Sequence, residues 1–350
     1  MTTIYVTHPR FVEHDLKGHP EHAGRIRAIW QALDSEGLTA RLHRLDAPFA
    51  AIPDLAAVHD PKYIDLLAQV SHQFPDQTVL LNPDTYFTPA SYDVALLAAG
   101  GVCAAVTEVM SGNARNGLTV VRPPGHHAVS DEAMGFCLLN NIAVAARFAQ
   151  SHFSVRRVLI VDYDVHHGNG TEAIFYDDPS VLFISTHQSL LYPGTGAFQH
   201  WGVGAGERAT INIPIPPGHG DQTYAAIFDQ IIWRATRRFK PDLILVSAGF
   251  DAHWAERLSN VNMNLTIPGF AHLSRELVRM ADELCDGRII FVTEGGYHLD
   301  ALSYGVCGVA RALLGDPPDS VTDPLGAAPS QRTDAKELIR RVRDLHNLYD

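Results

Sequence analysis

The chain has 350 residues, of which 46% are hydrophobic and 19% charged, enough for one large α/β domain or two small ones. Its formal net charge of −12 and the lack of a Lys/Arg block argue against direct binding of nucleic acid, which requires a basic surface. The sequence shows neither a signal-peptide pattern nor a run of about 18 apolar residues, so no leader and no membrane-spanning helix is expected.

Four cysteines lie far apart in the chain, and no two of them have the CxxC spacing of a zinc knuckle or a redox motif. Reduced thiols are therefore expected, as in proteins of the cytoplasm. The sequence predicts a cytoplasmic protein without disulfide bonds. The cysteines are Cys103, Cys137, Cys285 and Cys307.

Apolar patterns predict strands that alternate with helices along the whole chain. The predicted strands cover residues 4–8, 118–121, 158–161, 181–185, 211–215, 243–247 and 289–293. The predicted helices begin near residues 22, 57, 91, 140, 171, 221, 268, 300 and 335. Such alternation is typical of a mainly parallel sheet with helices on both faces.

Residues 1–315 are expected to form one domain, because no linker divides them. Residues 316–350 are expected to be a Pro/Gly/Ala-rich linker and a helix that packs on the same domain. The pair Gly100-Gly101 either kinks its helix or lets another element pack closely. The irregular loop 188–208 either shapes the rim of a pocket or forms a subunit contact, so a homo-oligomer is possible.

Four predicted strands end in polar turns. The turns contain His126-His127, Asp162 to Asn169, Gly249-Phe250-Asp251 and Glu294-Gly295-Gly296-Tyr297. In open parallel sheets, ligands bind beyond the carboxyl ends of the strands. We therefore expect these four turns to converge on one site, although each alone could be a structural turn.

The turn after the third strand carries the groups of a metal half-site. Asp162, Asp164 and His166 share parity, so on an extended strand they would point to one side. Carboxylate and imidazole ligands suit zinc, and Asp251 is the natural third ligand. Three protein ligands with an open position are typical of a catalytic zinc. The alternative for Asp251 is a helix cap.

Histidines and a tyrosine supply candidate acid/base and oxyanion groups. His126 and His127 are candidate general acids and bases, because an imidazole ordinarily titrates near neutral pH. The two residues are adjacent in a turn and could serve two different roles. Tyr297 follows two glycines, and its hydroxyl could stabilise an oxyanion. Without the other motifs, a half-buried packing tyrosine would be the better interpretation of this residue.

The motifs together resemble those of zinc-dependent histone deacetylases, a family that includes bacterial deacetylase-like amidohydrolases and acetylpolyamine amidohydrolases. The resemblance covers residues 4–315 in the family's order, and it implies the three-layer α/β arginase/deacetylase fold around an eight-stranded, mainly parallel sheet. The motifs are Pro123-Pro124-Gly125-His126-His127, Gly135-Phe136-Cys137, Asp162 to Gly170, Tyr192-Pro193-Gly194-Thr195-Gly196, Gly249-Phe250-Asp251-Ala252-His253 and Glu294-Gly295-Gly296-Tyr297.

The resemblance also implies a role for each matching residue. One Zn²⁺ per chain would be bound by Asp164, His166 and Asp251. His127 would act as general base and then acid, His126 paired with Asp162 would give electrostatic support, and Tyr297 would bond the substrate carbonyl and its oxyanion. The implied substrate-binding residues are Asp84, Phe136, Tyr192 and Leu258. A structural K⁺ would involve Asp162, Asp164, His166, Ser185 and Thr186.

Two residues refine the resemblance. Asn169 occupies the position behind the catalytic histidine at which one branch of the family has Asp. With Asn at this position, the chain resembles the class II branch. Leu258 occupies the position at which polyamine-selective members have Glu, which disfavours a polyamine substrate, although Glu256 is close by. The implied activity is removal of an acetyl or short acyl group from an acyl-lysine peptide or a small acylated amine.

Two other functions remain open at this stage. An arginase-like ureohydrolase would bind two manganese ions and would need further carboxylates, which do not follow His166-His167. A metal-dependent acyl-lysine or acetate binder would have no need of His127 and Tyr297. One zinc against two manganese ions per chain separates the first alternative from a deacetylase.

Overall fold

The computed structural model describes residues 2–349. Its central sheet has eight strands in the spatial order β2-β1-β5-β10-β9-β6-β7-β8, and every neighbouring pair is parallel. A separate antiparallel hairpin joins β3 and β4. The strands are β1 (Thr3–Thr7), β2 (His43–Asp46), β3 (Val79–Leu80), β4 (Tyr86–Phe87), β5 (Asn116–Thr119), β6 (Val158–Asp162), β7 (Val181–Gln188), β8 (Thr210–Ile215), β9 (Leu243–Ala248) and β10 (Ile289–Thr293).

Helices cover both faces of the sheet, as predicted. One layer contains α4 and α5, which pack on each other, and the other contains α1, α9 and α10. The helices are α1 (Gly24–Ser35), α2 (Ile52–Ala56), α3 (Pro61–Gln73), α4 (Ser91–Met110), α5 (Asn141–His152), α6 (Asn169–Phe175), α7 (Asp221–Ile227), α8 (Trp233–Phe239), α9 (Ile267–Leu284), α10 (Leu299–Leu313) and α11 (Lys336–His346).

The central strands are buried on both faces, which explains their continuous apolar runs. Because β5, β10, β9 and β6 are consecutive neighbours in the sheet, the polar turns that follow them lie side by side at its carboxyl edge. This strand order brings together groups that are as far apart in sequence as His126 and Tyr297.

Helix α4 is continuous, so Gly100-Gly101 does not break it. A Cβ atom at Gly100 would collide with the carbonyl oxygen of Pro48, and Ala50 N donates to Leu96 O at 2.9 Å. The glycine therefore allows the segment 48–50 to pack closely. Among residues 2–349, α4 is the one helix that is long and apolar enough to cross a membrane, but 72% of its apolar stretch is buried inside the protein.

Some elements have no clear sequence signal. Strand β2 is largely exposed and charged, because it forms the edge of the sheet and pairs only with β1. The hairpin strands β3 and β4 have two residues each, too few for a periodic pattern. The predicted helix over 221–238 contains a π-helical segment, Phe228–Ile232, between α7 and α8.

The C-terminal segment contacts the rest of the protein at several points. Helix α11 packs on β8 and buries Ile339 and Val342. In the preceding segment, Asp323 Oδ2 accepts a hydrogen bond from His253 Nε2 at 2.9 Å. The four cysteines are free and buried, as expected for reduced thiols.

Candidate active site

The turn after β6 is bent. The strand ends at Asp162, and the chain bends through Asp164 and His166 before α6 begins. The prediction that these three side chains share one side of an extended strand is therefore wrong beyond Asp162. Asp164 N donates to Asp162 Oδ1 at 3.1 Å, and His166 N donates to Asp164 Oδ1 at 2.9 Å. These bonds fold the turn so that Asp164 and His166 face each other.

Asp164, His166 and Asp251 form one compact group of potential metal ligands. Their ligand atoms all lie within 4.8 Å of one another, and His166 Nδ1 is 3.1 Å from both Asp164 Oδ1 and Asp251 Oδ2. Tetrahedral zinc, with bonds of about 2.0–2.2 Å, places its ligand atoms about 3.3–3.6 Å apart. The spacing therefore fits a single ion of this kind.

Backbone groups fix both carboxylates of this group. Gly295 N donates to Asp164 Oδ2 at 2.8 Å, and Val165 N donates to Asp251 Oδ1 at 2.9 Å. A Cβ atom at Gly295 would collide with the carboxylate of Asp251, so glycine is required where this turn approaches the ligands. The ligands are thus oriented by the fold before any ion binds.

The electrostatics of this group also favour a cation. The side chains of Asp164 and Asp251 are fully buried. Burial, together with the nearby charge of Asp164, raises the pKa of Asp251 to about 6. Gathering two buried carboxylates is unfavourable unless a positive charge compensates them, as a bound metal ion does.

His126 belongs to a buried network of carboxylates. Its Nδ1 lies 2.9 Å from Asp162 Oδ2, while Glu294 Oε2 accepts hydrogen bonds from the backbone N–H groups of Gly125 (2.7 Å) and His126 (3.2 Å). Burial alone would lower the pKa of His126, but Asp162 and Asp164 raise it to about 10. The two carboxylates thus favour the protonated, cationic form of His126.

His127 has the opposite electrostatic character. Its Nδ1 lies 2.7 Å from Asn169 Oδ1, a neutral partner, and its ring is 4.0 Å from that of His126. Burial and then the charges of His126 and His166 lower the pKa of His127 well below 6.5. Two adjacent histidines therefore differ in protonation, and His127 is neutral at neutral pH.

A cavity of about 330 Å³ opens onto these groups. Tyr297 lies in its wall, and the Tyr297 and Phe136 rings meet edge to face with centroids 5.7 Å apart. The pKa of Tyr297 is raised far above 10 by burial, so its hydroxyl keeps its proton and can donate a hydrogen bond. The cavity is lined by Asp84, His127, Gly135, Phe136, His166, Leu191, Tyr192, Leu258, Ser259, Asn260 and Tyr297.

Comparison with known proteins agrees with this arrangement. The profile of the histone deacetylase domain matches residues 19–313. The chain is 40% identical over 361 residues to rice "Histone deacetylase 10, chloroplastic", which covers 99% of this chain and 81% of the rice protein. The chain belongs to the histone deacetylase family.

Two further comparisons extend over nearly the whole chain of this family member. A "Probable deacetylase" of Archaeoglobus fulgidus is 37% identical over a gapped alignment of 360 positions, which covers 100% of this chain and 96% of the archaeal protein. The crystal structure of the HDA15 HD domain superposes with a TM-score of 0.88 at 34% identity, covering 99% and 96% of the two chains. The protein is thus a hydrolytic deacetylase with the predicted arginase/deacetylase fold, and zinc dependence is typical of its family.

The substrate-binding residues predicted for this deacetylase all line the cavity. Phe136 has a left-handed backbone (φ 70°), held by a hydrogen bond from its N–H to Thr85 Oγ1 at 3.1 Å. Such a backbone is unfavourable for a phenylalanine and is tolerated where the surroundings enforce it. Tyr192 lies with its ring 5.2 Å from that of His127. Asp84 and Leu258 complete the predicted set.

The residues predicted for potassium lie around the end of β6 and beside it in the neighbouring strand β7. Ser185 pairs in register with Asp162, and Thr186 Oγ1 donates to Asp162 O at 3.4 Å. Asp164 and His166 follow in the same buried turn. These contacts bring the five residues close together.

Sequence reasoning missed two residues that hold the turn carrying Tyr297. Arg25, buried in α1, donates from Nε to Gly296 O at 2.7 Å and from Nη2 to Glu294 O at 2.5 Å. Glu256 Oε2 accepts from Tyr297 N at 2.8 Å. For Arg25, a signal was present, since it is a charged residue on the apolar side of an amphipathic helix.

A buried ion-pair network connects Arg25 to the first of the four turns. Glu21 accepts hydrogen bonds from Arg122 Nε (2.9 Å) and Nη2 (2.6 Å) and from Arg25 Nη1 (3.0 Å). Burial would raise the pKa of Glu21, but the two guanidinium groups lower it far below its usual value. This carboxylate thus joins α1 to the segment that leads into His126 and His127.

Proposed function

We propose that the protein is a zinc-dependent deacylase that hydrolyses the amide of an acetylated or short-acylated amine. The observation that carries this proposal is the placement of the Asp164–His166–Asp251 group, neutral His127 and protonated Tyr297 around one cavity. Membership of a deacetylase family supports the same reaction class.

Asp164, His166 and Asp251 would hold the zinc ion. A zinc ion there supplies Lewis-acid polarisation of the substrate carbonyl and of the attacking water. His166 lines the cavity, so an ion held by this group would be close to a substrate bound there. The proposal of one ion per chain agrees with the finding of this single ligand group among residues 2–349.

His127 would transfer the protons of the reaction. As the neutral imidazole it takes the proton of the attacking water, and it then protonates the departing amine when the amide C–N bond breaks. Asn169 Oδ1 accepts from Nδ1–H and so leaves Nε2 with its lone pair free for the proton. The His126–Asp162 pair, which carries its positive charge beside His127, would stabilise the negative charge that develops.

Tyr297 would donate a hydrogen bond to the substrate carbonyl and to the oxyanion that forms from it. Arg25 lies over its ring at 4.9 Å and helps to fix the phenol. The hydroxyl is a donor rather than an acceptor because its pKa is raised far above 10 by burial.

We expect Tyr297→Phe to lower kcat by about 10²–10³, because this change removes one oxyanion donor and little volume. Measuring kcat on an acetyl-lysine peptide, together with zinc per chain, tests the assignment. Tyr349→Phe, at an exposed tyrosine, is the matched control and should leave kcat unchanged. A fully active, zinc-loaded Tyr297→Phe enzyme would contradict the role of this tyrosine.

The pH profile gives an independent test. His127 must be unprotonated to accept a proton, and its lowered pKa places the acid limb of kcat/KM below pH 6.5. Asp162→Asn removes the carboxylate that most raises the pKa of His126. The positive charge beside His127 then weakens, the pKa of His127 rises, and the acid limb moves to higher pH. Profiles over about pH 5 to 9 check this, and an unmoved limb would disprove the coupling.

The cavity favours an acyl-lysine side chain as substrate. Leu258, not a carboxylate, faces the cavity, and both oxygens of nearby Glu256 accept backbone hydrogen bonds. A cationic polyamine therefore finds no free carboxylate at this position. A wider cleft of about 690 Å³ begins at Leu258 and Tyr297 and gives room for a peptide. Asp84 would bond the peptide backbone or amine.

Activity on a panel of substrates tests this choice. Acetyl-lysine peptides are expected to be hydrolysed with a higher kcat/KM than acetylated polyamines, and small acylated amines should fall between them. Phe136 and Tyr192 would form the walls that hold the aliphatic stem. A clear preference for acetylpolyamines would refute the acyl-lysine assignment while leaving the deacylase chemistry intact.

Several finer expectations stay predictions. K⁺ would bind near Asp162, Asp164, His166, Ser185 and Thr186, and residues 316–350 would belong to the catalytic domain. The homo-oligomer also stays a prediction. So does the cytoplasmic location, since the rice relative is named as chloroplastic. The two-manganese ureohydrolase has no structural support among residues 2–349, because Asp162 is engaged by His126.

A further inference from the structure

Glu256 makes an unusual set of contacts for a residue at the rim of the site. Its Oε2 accepts hydrogen bonds from the N–H groups of Tyr297 (2.8 Å) and His298 (3.2 Å). Its Oε1 accepts from the N–H groups of Arg257 (2.7 Å) and Leu258 (3.0 Å). A carboxylate has about four lone-pair sites. Glu256 therefore uses its whole acceptor capacity on backbone groups from two separate segments.

The turn that carries Tyr297 depends on such anchors. Gly295 and Gly296 precede the tyrosine, and Gly296 has a left-handed backbone (φ 119°). Two glycines give the turn little rigidity of its own. Arg25 holds the turn through the carbonyl groups of Glu294 and Gly296, and Glu256 holds it through the N–H groups of the next two residues. The turn is thus clamped between a buried cation and an anion.

The charge of Glu256 suits its position at the start of α10. His298 is the N-cap of this helix, and its imidazole accepts from Ala301 N at 3.4 Å. N–H groups at a helix N-terminus carry partial positive charge, so a carboxylate is favoured there. The N–H of His298 belongs to this end of the helix, and that of Tyr297 immediately precedes it.

The segment 256–262, which we call the rim loop, is also fixed at its other end. Gln188 Nε2 donates to Asn260 O at 2.8 Å, and Asn262 N donates to Gln188 Oε1 at 2.7 Å. Gln188 ends β7 and leads into Leu191 and Tyr192, which line the cavity on another side. The rim loop therefore connects two walls of the cavity, with Leu258 between the two attachments.

We propose that Glu256 is a positioning residue that fixes the Tyr297 hydroxyl for catalysis. The same carboxylate holds Leu258 in place at the cavity rim. This inference rests on the proposed role of Tyr297 as oxyanion donor. Glu256 acts through backbone N–H groups and does not touch the reacting atoms. Its effect is therefore on the geometry of the tyrosine, where a displacement of about 1 Å can cost up to about 10² in rate.

A double-mutant cycle tests the proposal. Glu256→Ala is expected to lower kcat by about 10- to 100-fold, with a smaller change in KM and unchanged zinc content. In a Tyr297→Phe background the same change should cost little further, because the hydroxyl that Glu256 positions is already absent. Glu256→Gln, which keeps one oxygen acceptor, should lie between Glu256→Ala and the unmodified enzyme.

The controls separate this proposal from the one it rests on. Glu207→Ala is the control, because Glu207 is an exposed carboxylate that precedes the edge strand β8 and is not a lining residue of the cavity. This variant should leave kcat unchanged. If Tyr297→Phe is itself fully active, the proposed function of the tyrosine fails. If Tyr297→Phe has a lowered kcat but Glu256→Ala lowers kcat by the same factor in the unmodified and the Tyr297→Phe enzyme, Glu256 acts elsewhere and the positioning role is refuted. Should Glu256→Ala not fold, Glu256→Gln is used in the same cycle.

Discussion

Asp251→Asn is expected to abolish measurable deacylase activity by removing the metal. The asparagine oxygen can still accept from Val165 N, which preserves the turn, while an amide replaces the second carboxylate oxygen beside His166. Changes outside the ligand shell commonly cost about 10–100-fold in metal affinity, so loss of a charged ligand should cost more than about 10²-fold. Zinc per chain and kcat are measured together at limiting zinc.

Asp286→Asn is the matched control for this variant. Asp286 is exposed and has a left-handed backbone (φ 55°), a conformation that asparagine adopts readily. This control should keep full zinc content and activity. Chelation of the unmodified enzyme should reproduce the inactive state, and added zinc should reverse it. An Asp251→Asn protein that stays zinc-loaded and active would remove Asp251 from the ligand set.

His127→Ala is expected to lower kcat by about 10²–10⁴, the usual contribution of a positioned acid/base group. Both proton transfers pass through this imidazole in the proposed reaction, so kcat and kcat/KM should fall together. Zinc content should stay near one ion per chain, since His127 is not among the three clustered ligands. A lowered kcat with retained zinc distinguishes His127→Ala from Asp251→Asn, which is expected to lose the zinc.

His272→Ala provides the control for the histidine variant, because His272 is an exposed residue of α9. Its kcat and zinc content should match those of the unmodified enzyme. If His127→Ala retained most of the activity across the pH range, His126 or another group would have to accept the proton. The raised pKa of His126, about 10, argues against that exchange, because a protonated imidazole cannot act as a base at neutral pH.

The core strands and the composition of the turns that follow them could be predicted from the sequence. The apolar runs of β6, β9 and β10 mark strands buried on both faces, and each is followed by a polar turn. The rule that ligands bind beyond the carboxyl ends of parallel strands was enough to expect His126, Asp164, Asp251 and Tyr297 at one site. Tyr297 lines the cavity, as does His166, whose ligand atom groups with those of Asp164 and Asp251. His126 Nε2 lies 3.9 Å from Asp164 Oδ1.

The local geometry at the metal ligands was not accessible in the same way. Parity along a strand predicted Asp162, Asp164 and His166 on one side, but the strand ends at Asp162. Where the chain bends is decided by hydrogen bonds from backbone N–H groups to the carboxylates of Asp162 and Asp164. Periodicity describes regular elements and fails at their ends.

The sequence by itself determined the chemical groups of this deacetylase and the class of fold that gathers them, because side-chain type and apolar pattern are written in each residue. Only the tertiary structure decided which groups hold Tyr297 in place. Arg25 and Glu256 act on backbone carbonyl and N–H groups of segments far away in sequence. Every residue carries a backbone carbonyl and every residue except proline an N–H, so the sequence can mark Arg25 as a buried charge but cannot show which backbone groups it contacts.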